Sequence, residues 1–355
     1  SGMTSRNPWT PEANNIHFER NRMQTSISFF NNKGGVGKTT LACNFAAHAS
    51  KIGYSVTVID CDPQANATQL LLASDDWEAV YNAPDRGESQ SILEPLRIIR
   101  DGDSAINPNI PSIESRRFGV NVLPGHPSLA QVEDIFSSAW TDFRGGTKGA
   151  ARRTLWAREL RKHIKTDLVV FDMSPSLGAL NRSVLIGSDY FVTPVEADLF
   201  SLYALENIGT WLSEWATVFE KAAMEFAETN IFDDLKLALQ IKNGWAGYTV
   251  QQYVSRKSSG VVRDIKSYDR YKAQIPDRAR GLEVFKSEHA EKLEIGIVPN
   301  MFSMIPMAQT AHSPIFKLEK NDGLRGGQPG QRDKYVEQLD AIFTNILVNT
   351  GLDNA

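Results

Sequence analysis

A short run of glycines, lysines and threonines carries the clearest chemistry in this sequence. Residues 33–40 read KGGVGKTT, so that glycines alternate with two lysines and end in two hydroxyl side chains. Glycines allow successive backbone N–H groups to turn inward and surround a phosphate. Lys38 is placed to reach the β- and γ-phosphates of a nucleotide, and the Thr39 hydroxyl is a suitable ligand for Mg²⁺. The run therefore predicts a phosphate-binding loop.

Three aspartates follow short apolar runs of the kind that form buried strands. Asp60 and Asp62 lie at the end of the run 55–61, and Asp172 ends the run 167–172. Ligands of open α/β sheets bind at the carboxyl ends of parallel strands, where these carboxylates are expected to lie. Phosphoryl transfer needs a cation near the phosphates and an oriented water molecule, and carboxylates can hold both. Taken singly, each aspartate is also compatible with a turn or a helix cap.

The elements that must position these residues follow from the apolar pattern. A strand at 25–31, the glycine loop, a helix at 38–52 and a strand at 55–61 form a βαβ unit, which indicates a parallel sheet. Further strands are predicted at 119–123, 167–172, 190–195, 235–241 and 293–298, and further helices at 128–140, 151–165, 181–187, 199–229 and 335–348. We expect a doubly wound α/β fold with a mostly parallel sheet and helices on both faces.

The length of the chain exceeds what these elements require. Residues 25–355 are predicted to form one domain with insertions near 73–118, 141–150 and 243–292, which look irregular or lack a clear element. Residues 1–24 are predicted to be an N-terminal arm, and Ser1-Gly2 resembles the remnant of a cleaved tag. This arm is too short for an additional DNA-reading domain, which disfavours sequence-specific operator binding.

The loop departs from the strict P-loop pattern because Asn32 stands where that pattern has glycine. KGGVGKTT instead resembles the deviant Walker-A loop of the ParA and MinD ATPases. Three later segments resemble the motifs that follow it in that family, namely Ile59–Thr68 (IDCDPQANAT), Val169–Leu180 (VVFDMSPSLGAL) and Phe191–Leu205 (FVTPVEADLFSLYAL). The resemblance extends over about 25–72 and 119–210, in the order and strand context of the family.

This resemblance implies ATP and Mg²⁺ as ligands and a role for each matching residue. Lys33 is implied to cross a homodimer interface to the partner's nucleotide, and Asp62 to position the attacking water. The implied nucleotide-binding residues are Gly34, Gly35, Val36, Gly37, Lys38, Thr39, Thr40 and, following the predicted strand at 235–241, Asn243 as a contact to adenine. The implied metal site consists of Thr39, Asp172 and, as a supporting group, Asp60.

Positive charge is concentrated in two parts of a chain whose formal net charge is −4. Residues 144–165 hold eight basic side chains and one acidic, and residues 256–286 hold nine basic and four acidic. Such stretches are typical either of solvated helix faces or of contacts to the DNA backbone. ParA-type proteins bind DNA non-specifically in the ATP state, and we therefore predict a DNA surface in the second stretch. Its candidate residues are Arg256, Lys257, Arg263, Lys266, Arg270 and Lys272.

Several classes of protein are disfavoured by composition. No apolar run is long enough for a membrane span, and the acidic C-terminal stretch 333–355 is unlike the basic membrane helix of MinD-like proteins. Cys43 and Cys61 fall inside predicted elements and do not match the cluster cysteines of nitrogenase iron proteins. Two reduced thiols are expected in a cytoplasmic protein.

The sequence thus predicts a dimerising, ParA-like ATPase that positions DNA or protein cargo. Its hydrolysis is expected to be slow without a ParB-like or other stimulating partner, and DNA binding would associate it with the nucleoid. Two alternatives stay open. One is a nucleotide-gated interaction module in a regulatory or defence complex, and the other is a metabolic phosphoryl-transfer ligase of the same superfamily.

Overall fold

Eight strands form one sheet in the computed structural model, which describes residues 23–83, 89–252 and 265–352. In chain order the strands are β1 (Thr25–Phe29), β2 (Val56–Cys61), β3 (Ile113–Ser115), β4 (Val120–Leu123), β5 (Leu168–Met173), β6 (Tyr190–Val195), β7 (Trp245–Gln251) and β8 (Glu294–Val298). Their order across the sheet is β3-β4-β2-β5-β1-β6-β7-β8. All neighbours are parallel except β3 and β4, which are antiparallel at one edge. The predicted doubly wound, mostly parallel fold is confirmed.

Helices connect the strands and cover both faces of the sheet. They are α1 (Lys38–Lys51), α2 (Asn66–Leu71), α3 (Ser74–Asn82), α4 (Leu93–Arg100), α5 (Glu133–Arg144), α6 (Lys148–Thr154), α7 (Trp156–Lys162), α8 (Ala179–Ile186), α9 (Leu199–Met224), α10 (Phe232–Ala238), α11 (Ile265–Lys272), α12 (Ile275–Arg278), α13 (Arg280–Glu283), α14 (Met304–Ala311) and α15 (Gln328–Asn349). Of these helices, none combines the length and the apolar composition needed to cross a bilayer.

The central strands are buried on both sides, as parallel strands between two helical layers must be. In β5, Val169, Phe171 and Met173 belong to the core formed with α5 to α9, whereas Leu168 and Val170 face the core formed with α1 and α15. Side chains of a strand alternate between faces, so one continuous apolar run supplies both cores. This burial fixes the register that brings the carboxyl ends of β1, β2 and β5 to one edge.

The prediction of a strand at 235–241 is wrong. These residues form α10 and a 3₁₀ turn over Leu239–Asn243, and the strand is β7, which begins at Trp245. The buried side chains there are Leu235, Ala238 and Ile241, three residues apart as on a helix, while Leu237 is exposed. Gly247, which has a φ of 111°, interrupts the apolar pattern of β7 and hid the strand.

The three predicted insertions contain regular structure. The segment 73–118 includes α3, α4 and β3, and 243–292 includes β7 and α11 to α13. In the segment 141–150, α5 continues to Arg144 and α6 begins at Lys148. Ile92, just before α4, and Leu96 and Ile99 on it explain the error, because they pack into the core although polar residues surround this segment in the sequence. The predicted helix at 151–165 is divided between α6 and α7.

Candidate nucleotide site

The glycine loop lies between the end of β1, in the middle of the sheet, and the first turn of α1. Gly35 and Gly37 have φ values of 77° and 81°, which side chains with a Cβ rarely adopt. Val36, between them, is fully buried and anchors the loop, while Gly34 and Gly35 are exposed. The loop therefore presents backbone to solvent at the amino end of a helix, where an anion is stabilised by N–H groups and by the helix dipole.

Two side-chain amides attach this loop to the neighbouring strands β6 and β7. Asn31 accepts a hydrogen bond from Lys33 N at 2.9 Å and donates one from Nδ2 to Pro194 O at 2.8 Å. Gln251, at the end of β7, donates from Nε2 to Val36 O at 3.2 Å. Sequence analysis missed Gln251, because it belongs to the strand that was not recognised.

Lys38 is buried under the loop and faces the carboxylates. Its Nζ donates a hydrogen bond to Lys33 O at 3.0 Å, and only 7% of its surface is exposed. Burial lowers the pKa of the Lys38 ammonium, and the nearby Asp172 and Asp62 oppose this shift. A second anion on the other side of the ammonium, such as a phosphate, would stabilise its charge.

Thr39 and Asp172 form the pair expected of a cation site. Thr39 Oγ1 donates to Asp172 Oδ2 at 2.7 Å, and Asp172 Oδ1 is buried with no hydrogen-bond partner in the described part of the chain. Burial raises the pKa of the Asp172 carboxyl well above its usual value, and the negative charge of Asp60 adds to this effect. An orphaned carboxylate oxygen beside a hydroxyl suits Mg²⁺, which prefers oxygen ligands and retains several waters. The two residues therefore fit the predicted magnesium ion.

Asp60 stabilises the site through hydrogen bonds to residues of the segment that follows β2. Its Oδ2 accepts hydrogen bonds from Thr68 N at 2.8 Å and Thr68 Oγ1 at 2.7 Å, and its Oδ1 accepts one from Asp62 N at 3.1 Å. Burial raises the pKa of the Asp60 carboxyl to about 6. Because these bonds occupy both oxygens, Asp60 orients the turn after β2 and is not placed as a direct metal ligand. Thr68 was not singled out by sequence analysis.

Asp62 lies at the same edge with one oxygen engaged. Gln64 N donates to Asp62 Oδ1 at 2.9 Å, and burial raises the pKa of the Asp62 carboxyl, which the neighbouring Lys38 partly counteracts. Ala65 has a φ of 52°, so the chain turns sharply behind this carboxylate. The structure thus brings Asp62 together with Lys38 and Asp172, as the sequence predicted.

Lys33 has partners that the sequence did not indicate. Its Nζ lies 2.6 Å from Glu196 Oε2 and 2.5 Å from Asp198 Oδ2, and it donates to Ser201 Oγ at 3.2 Å. Burial acts to raise the pKa of Asp198, but hydrogen bonds from Lys33 and Ser201 N and the charge of Lys33 together bring this pKa below its usual value. In this conformation the lysine is turned toward its own chain at the end of β6.

Asn243 is not part of this arrangement. It is exposed and lies just before β7, at the amino end of that strand, whereas the loop follows the carboxyl end of the parallel strand β1. The predicted adenine contact rested on a strand that is a helix in the structure, and Asn243 lies at the opposite edge of the sheet. Thr40, in contrast, is on the first turn of α1 as predicted.

The candidate DNA residues are only partly described. Lys266, Arg270 and Lys272 lie on α11, while Arg256, Lys257 and Arg263 fall outside the described residues. Lys266 and Arg270 are exposed, and Lys272 lies 3.3 Å from Glu294 Oε1. Tyr268 OH donates to Gln251 O at 3.2 Å, which attaches α11 to the strand that also contacts the loop.

A glycine loop at the end of a central parallel strand, with a threonine–aspartate pair beside it, defines a P-loop nucleotide-binding fold. The chain belongs to the AAA domain family, which residues 24–223 match over more than half of the chain. Within this family the deviant loop and the relatives described next make it a P-loop ATPase of the ParA and MinD type.

Known proteins resemble the chain in sequence and in structure. The chromosome-partitioning ATPase Soj of Thermus thermophilus is 28% identical over 53% of this chain and 61% of its own length. The crystal structure of protein DIP2308 from Corynebacterium diphtheriae is 31% identical, with a TM-score of 0.73 over 94% of this chain and 100% of that one. A putative plasmid partition protein from Borrelia burgdorferi, solved with AMPPNP, shares the fold at 14% identity and a TM-score of 0.55, covering 91% of this chain and 98% of that one.

The crowding of carboxyl groups at the site predicts an unusual pH dependence of stability. Asp60, Asp62 and Asp172 all have raised pKa values, so the folded protein retains protons that the unfolded chain releases above about pH 4. Their contribution to stability is therefore present at low pH and is lost as pH rises, through about pH 6 for Asp60. That loss corresponds to about 3 kcal/mol for Asp60 alone.

We expect urea unfolding of the ligand-free protein to show that Asp172→Asn gains stability over wild type as pH rises from 5 to 7.5. Removing one carboxylate also reduces the electrostatic repulsion that acts on the other two, because like charges destabilise one another in a buried site. Asp75→Asn, on the exposed surface of α3, serves as the charge-matched control. A constant difference between Asp172→Asn and wild type across this interval would contradict the prediction.

Proposed function

We propose that the protein is a Mg²⁺-dependent ATPase that works as a ParA-type nucleotide switch. The observation that carries this proposal is the Thr39–Asp172 pair beside a loop that contains both Lys33 and Lys38. The similarity to the chromosome-partitioning ATPase Soj supports the same class of activity. ATP and Mg²⁺ are the ligands that best match the exposed loop backbone, the buried lysine and the oxygen donors.

Each residue of the site has a distinct part in the proposed hydrolysis. The backbone of the loop and Lys38 bind the β- and γ-phosphates, and Thr39 and Asp172 hold the magnesium ion. When bound, that ion neutralises the charge of the phosphates during transfer. Asp62 orients a water molecule in line with the γ-phosphate and accepts a hydrogen bond from it. Asp60, through Thr68 and the Asp62 backbone, keeps this carboxylate in position.

Lys33 links the nucleotide to dimerisation. In the proposed ATP state two chains meet face to face, and each Lys33 leaves Glu196 and Asp198 to contact the nucleotide bound by the other chain. A phosphate group competes with these carboxylates for the ammonium because it carries more negative charge. Hydrolysis removes that attraction, and Lys33 returns to its own chain. ATP would thus determine whether the protein is monomeric or dimeric.

The proposed cellular role is the partition or positioning of DNA or protein cargo. A cytoplasmic dimer would associate with the nucleoid through α11, whose Lys266 and Arg270 are exposed. A ParB-like or other partner protein would stimulate the ATPase activity. The intrinsic rate of hydrolysis would be slow, because the protein works as a switch and not as a metabolic enzyme.

Variants of the loop test the switch directly. We expect sedimentation velocity with Mg·ATP to detect dimers of Asp62→Ala, which binds nucleotide and hydrolyses it slowly. Lys38→Ala is expected to lose nucleotide binding by at least tenfold, since a buried cation on the phosphates is removed. Lys33→Ala is expected to bind ATP and stay monomeric.

If Asp62→Ala remains monomeric with saturating ATP, the switch mechanism is wrong. ATP-dependent dimers without DNA binding would favour the nucleotide-gated interaction module. Rapid turnover that depends on a small carboxylate acceptor would instead identify a ligase.

The ion pairs of Lys33 are predicted to restrain dimerisation. Combining Glu196→Gln with Asp198→Asn releases the lysine but keeps a side-chain acceptor for Ser201 N, which Asp198 caps at 2.8 Å at the start of α9. Half-exposed ion pairs contribute up to about 1 kcal/mol each, so we expect dimers at roughly fivefold lower protein concentration with ATP. Light scattering or sedimentation against concentration measures this shift.

Glu214→Gln, at an exposed position on the same helix, controls for the loss of a negative charge that does not contact Lys33. Adding Lys33→Ala to the double variant should abolish the gain. A gain that survives this addition would mean that the carboxylates act by general repulsion between the chains rather than through Lys33.

DNA binding through α11 is tested by its salt dependence. With ATP and a DNA duplex of unrelated sequence, fluorescence anisotropy is expected to give weaker binding for Lys266→Gln and Arg270→Gln. Each lost phosphate contact should lower the slope of log affinity against log salt by about one. Arg144→Gln, in the other basic stretch, is expected to bind as wild type does. Equal binding with and without ATP would refute the nucleotide-switched form of this interaction.

A further inference from the structure

A cavity of about 340 Å³ lies between α6, α7 and the segment that joins α9 to α10. A turn after α4, residues 104–106, closes one side. None of the residues of the nucleotide site lines it. Its volume falls in the range of pockets that bind small molecules. The cavity is therefore a second candidate site in the described part of the chain.

The charged side chains of the cavity are unequally paired. Lys162 Nζ lies 2.8 Å from Glu159 Oε2 and 3.1 Å from Asp234 Oδ1, so both carboxylates of the lining form ion pairs with this one lysine. Arg152 and Arg158 also line the cavity, and neither forms an ion pair with a described residue. Two guanidinium groups are thus left without a counter-charge in contact.

Arg158 is the more informative of the two. Its Nε and Nη1 are buried and have no hydrogen-bond partner among the described residues. Burial lowers the pKa of the Arg158 guanidinium and the nearby Arg161 adds to this effect, while the charges of Asp189 and Asp234 oppose it. Arg161 itself is satisfied, with Nη2 2.6 Å from Asp189 Oδ2. Leaving these two buried nitrogens unpaired is costly, which points to a ligand that would pair with them.

The walls of the cavity are held in place without a ligand. Arg153 points away from it and donates from Nε to Asp103 O at 2.6 Å and from Nη2 to Gly102 O, which fixes the turn at 104–106. Ile106, Leu155 and Ile231 are buried and supply apolar surface. The site is therefore preformed, and its lining combines the two guanidinium groups with apolar side chains and with the ion pairs of Lys162.

We propose that this cavity binds a small organic anion, in which a phosphate or carboxylate group is attached to a compact apolar body. The planar guanidinium of Arg158 matches the geometry of either anion, and Arg152 provides a second donor at the mouth. Ile106, Leu155 and Ile231 receive the apolar part. Because Glu159 and Asp234 form ion pairs with Lys162, the two arginines are available to bind the ligand.

Isothermal titration calorimetry with simple probes tests the site. Phenyl phosphate combines the proposed anion with an apolar ring, benzoate replaces the phosphate by a carboxylate, and inorganic phosphate lacks the ring. Saturating Mg·ADP is included to occupy the nucleotide site. We expect phenyl phosphate or benzoate to bind wild type more tightly than inorganic phosphate does, and the tighter of the two to identify the anion.

Arg158→Met is expected to weaken binding of that probe at least tenfold, while Arg144→Met, outside the cavity in the same basic stretch, leaves it unchanged. Equal binding by Arg158→Met and wild type, including any binding at the nucleotide site, would overturn the proposal. Absence of saturable binding by both organic probes would overturn it as well.

Stability of the ligand-free protein gives an independent measurement. Arg158 is half-buried, and two of its nitrogens are buried without a partner among the described residues. Replacing it by an apolar side chain of similar length should raise the urea midpoint of Arg158→Met above that of wild type. A lowered midpoint would mean that the guanidinium stabilises the fold, and the proposed ligand would not be needed to explain it.

Discussion

The hydrogen bond from Thr39 to Asp172 is the interaction on which the candidate site depends. It joins the first turn of α1 to the end of β5, and so it fixes the glycine loop relative to the carboxylates. Asp172 is fully buried, and among the described residues only one of its two carboxylate oxygens has a hydrogen-bond partner. Because Asp60 lies next to Asp172 in register across β2 and β5, negative charge accumulates where the sheet is most buried. Lys38 is the nearby positive charge that offsets it. A divalent cation would satisfy the remaining oxygen, so the free protein is arranged to favour one.

The second constraint is that the loop is held from several strands at once. Asn31 ties it to β6, Gln251 ties it to β7, and Lys33 reaches the acidic pair after β6. These contacts leave the backbone of Gly34 and Gly35 exposed, which is the surface a phosphate requires. They also give Lys33 anionic partners within its own chain, Glu196 and Asp198. In the proposed movement to a second chain, Lys33 would exchange these carboxylates for the phosphates of the nucleotide bound there. The ends of β6 and β7 thus connect the nucleotide site to surfaces that two chains could share.

Residues 144–165 form a basic stretch in the sequence, but its side chains do not form one positively charged surface in the structure. They have different partners, and two of its arginines line the cavity near α7. Arg153 fixes a turn, Arg161 pairs with Asp189, and Lys162 forms ion pairs with two carboxylates. Arg152 and Arg158 are left facing a cavity. A positive stretch therefore need not be one surface, because a helix sends neighbouring residues to different faces.

The sequence by itself determined the central βαβ unit, the loop and the aspartates at the strand ends, because these depend on local spacing and on runs buried on both faces. It also predicted the doubly wound sheet. The sequence did not predict the helix α10 within 235–241 or the helix α4. In both segments, the elements that pack against the apolar residues decide which of these residues are buried. Asn243 was misplaced for that reason. The partners of Lys33, the support of Asp62 by Asp60 and Thr68, and the contact from Gln251 join residues distant in the chain. Only the tertiary structure decides such contacts, since they require the strand order and the register that packing of the two cores imposes.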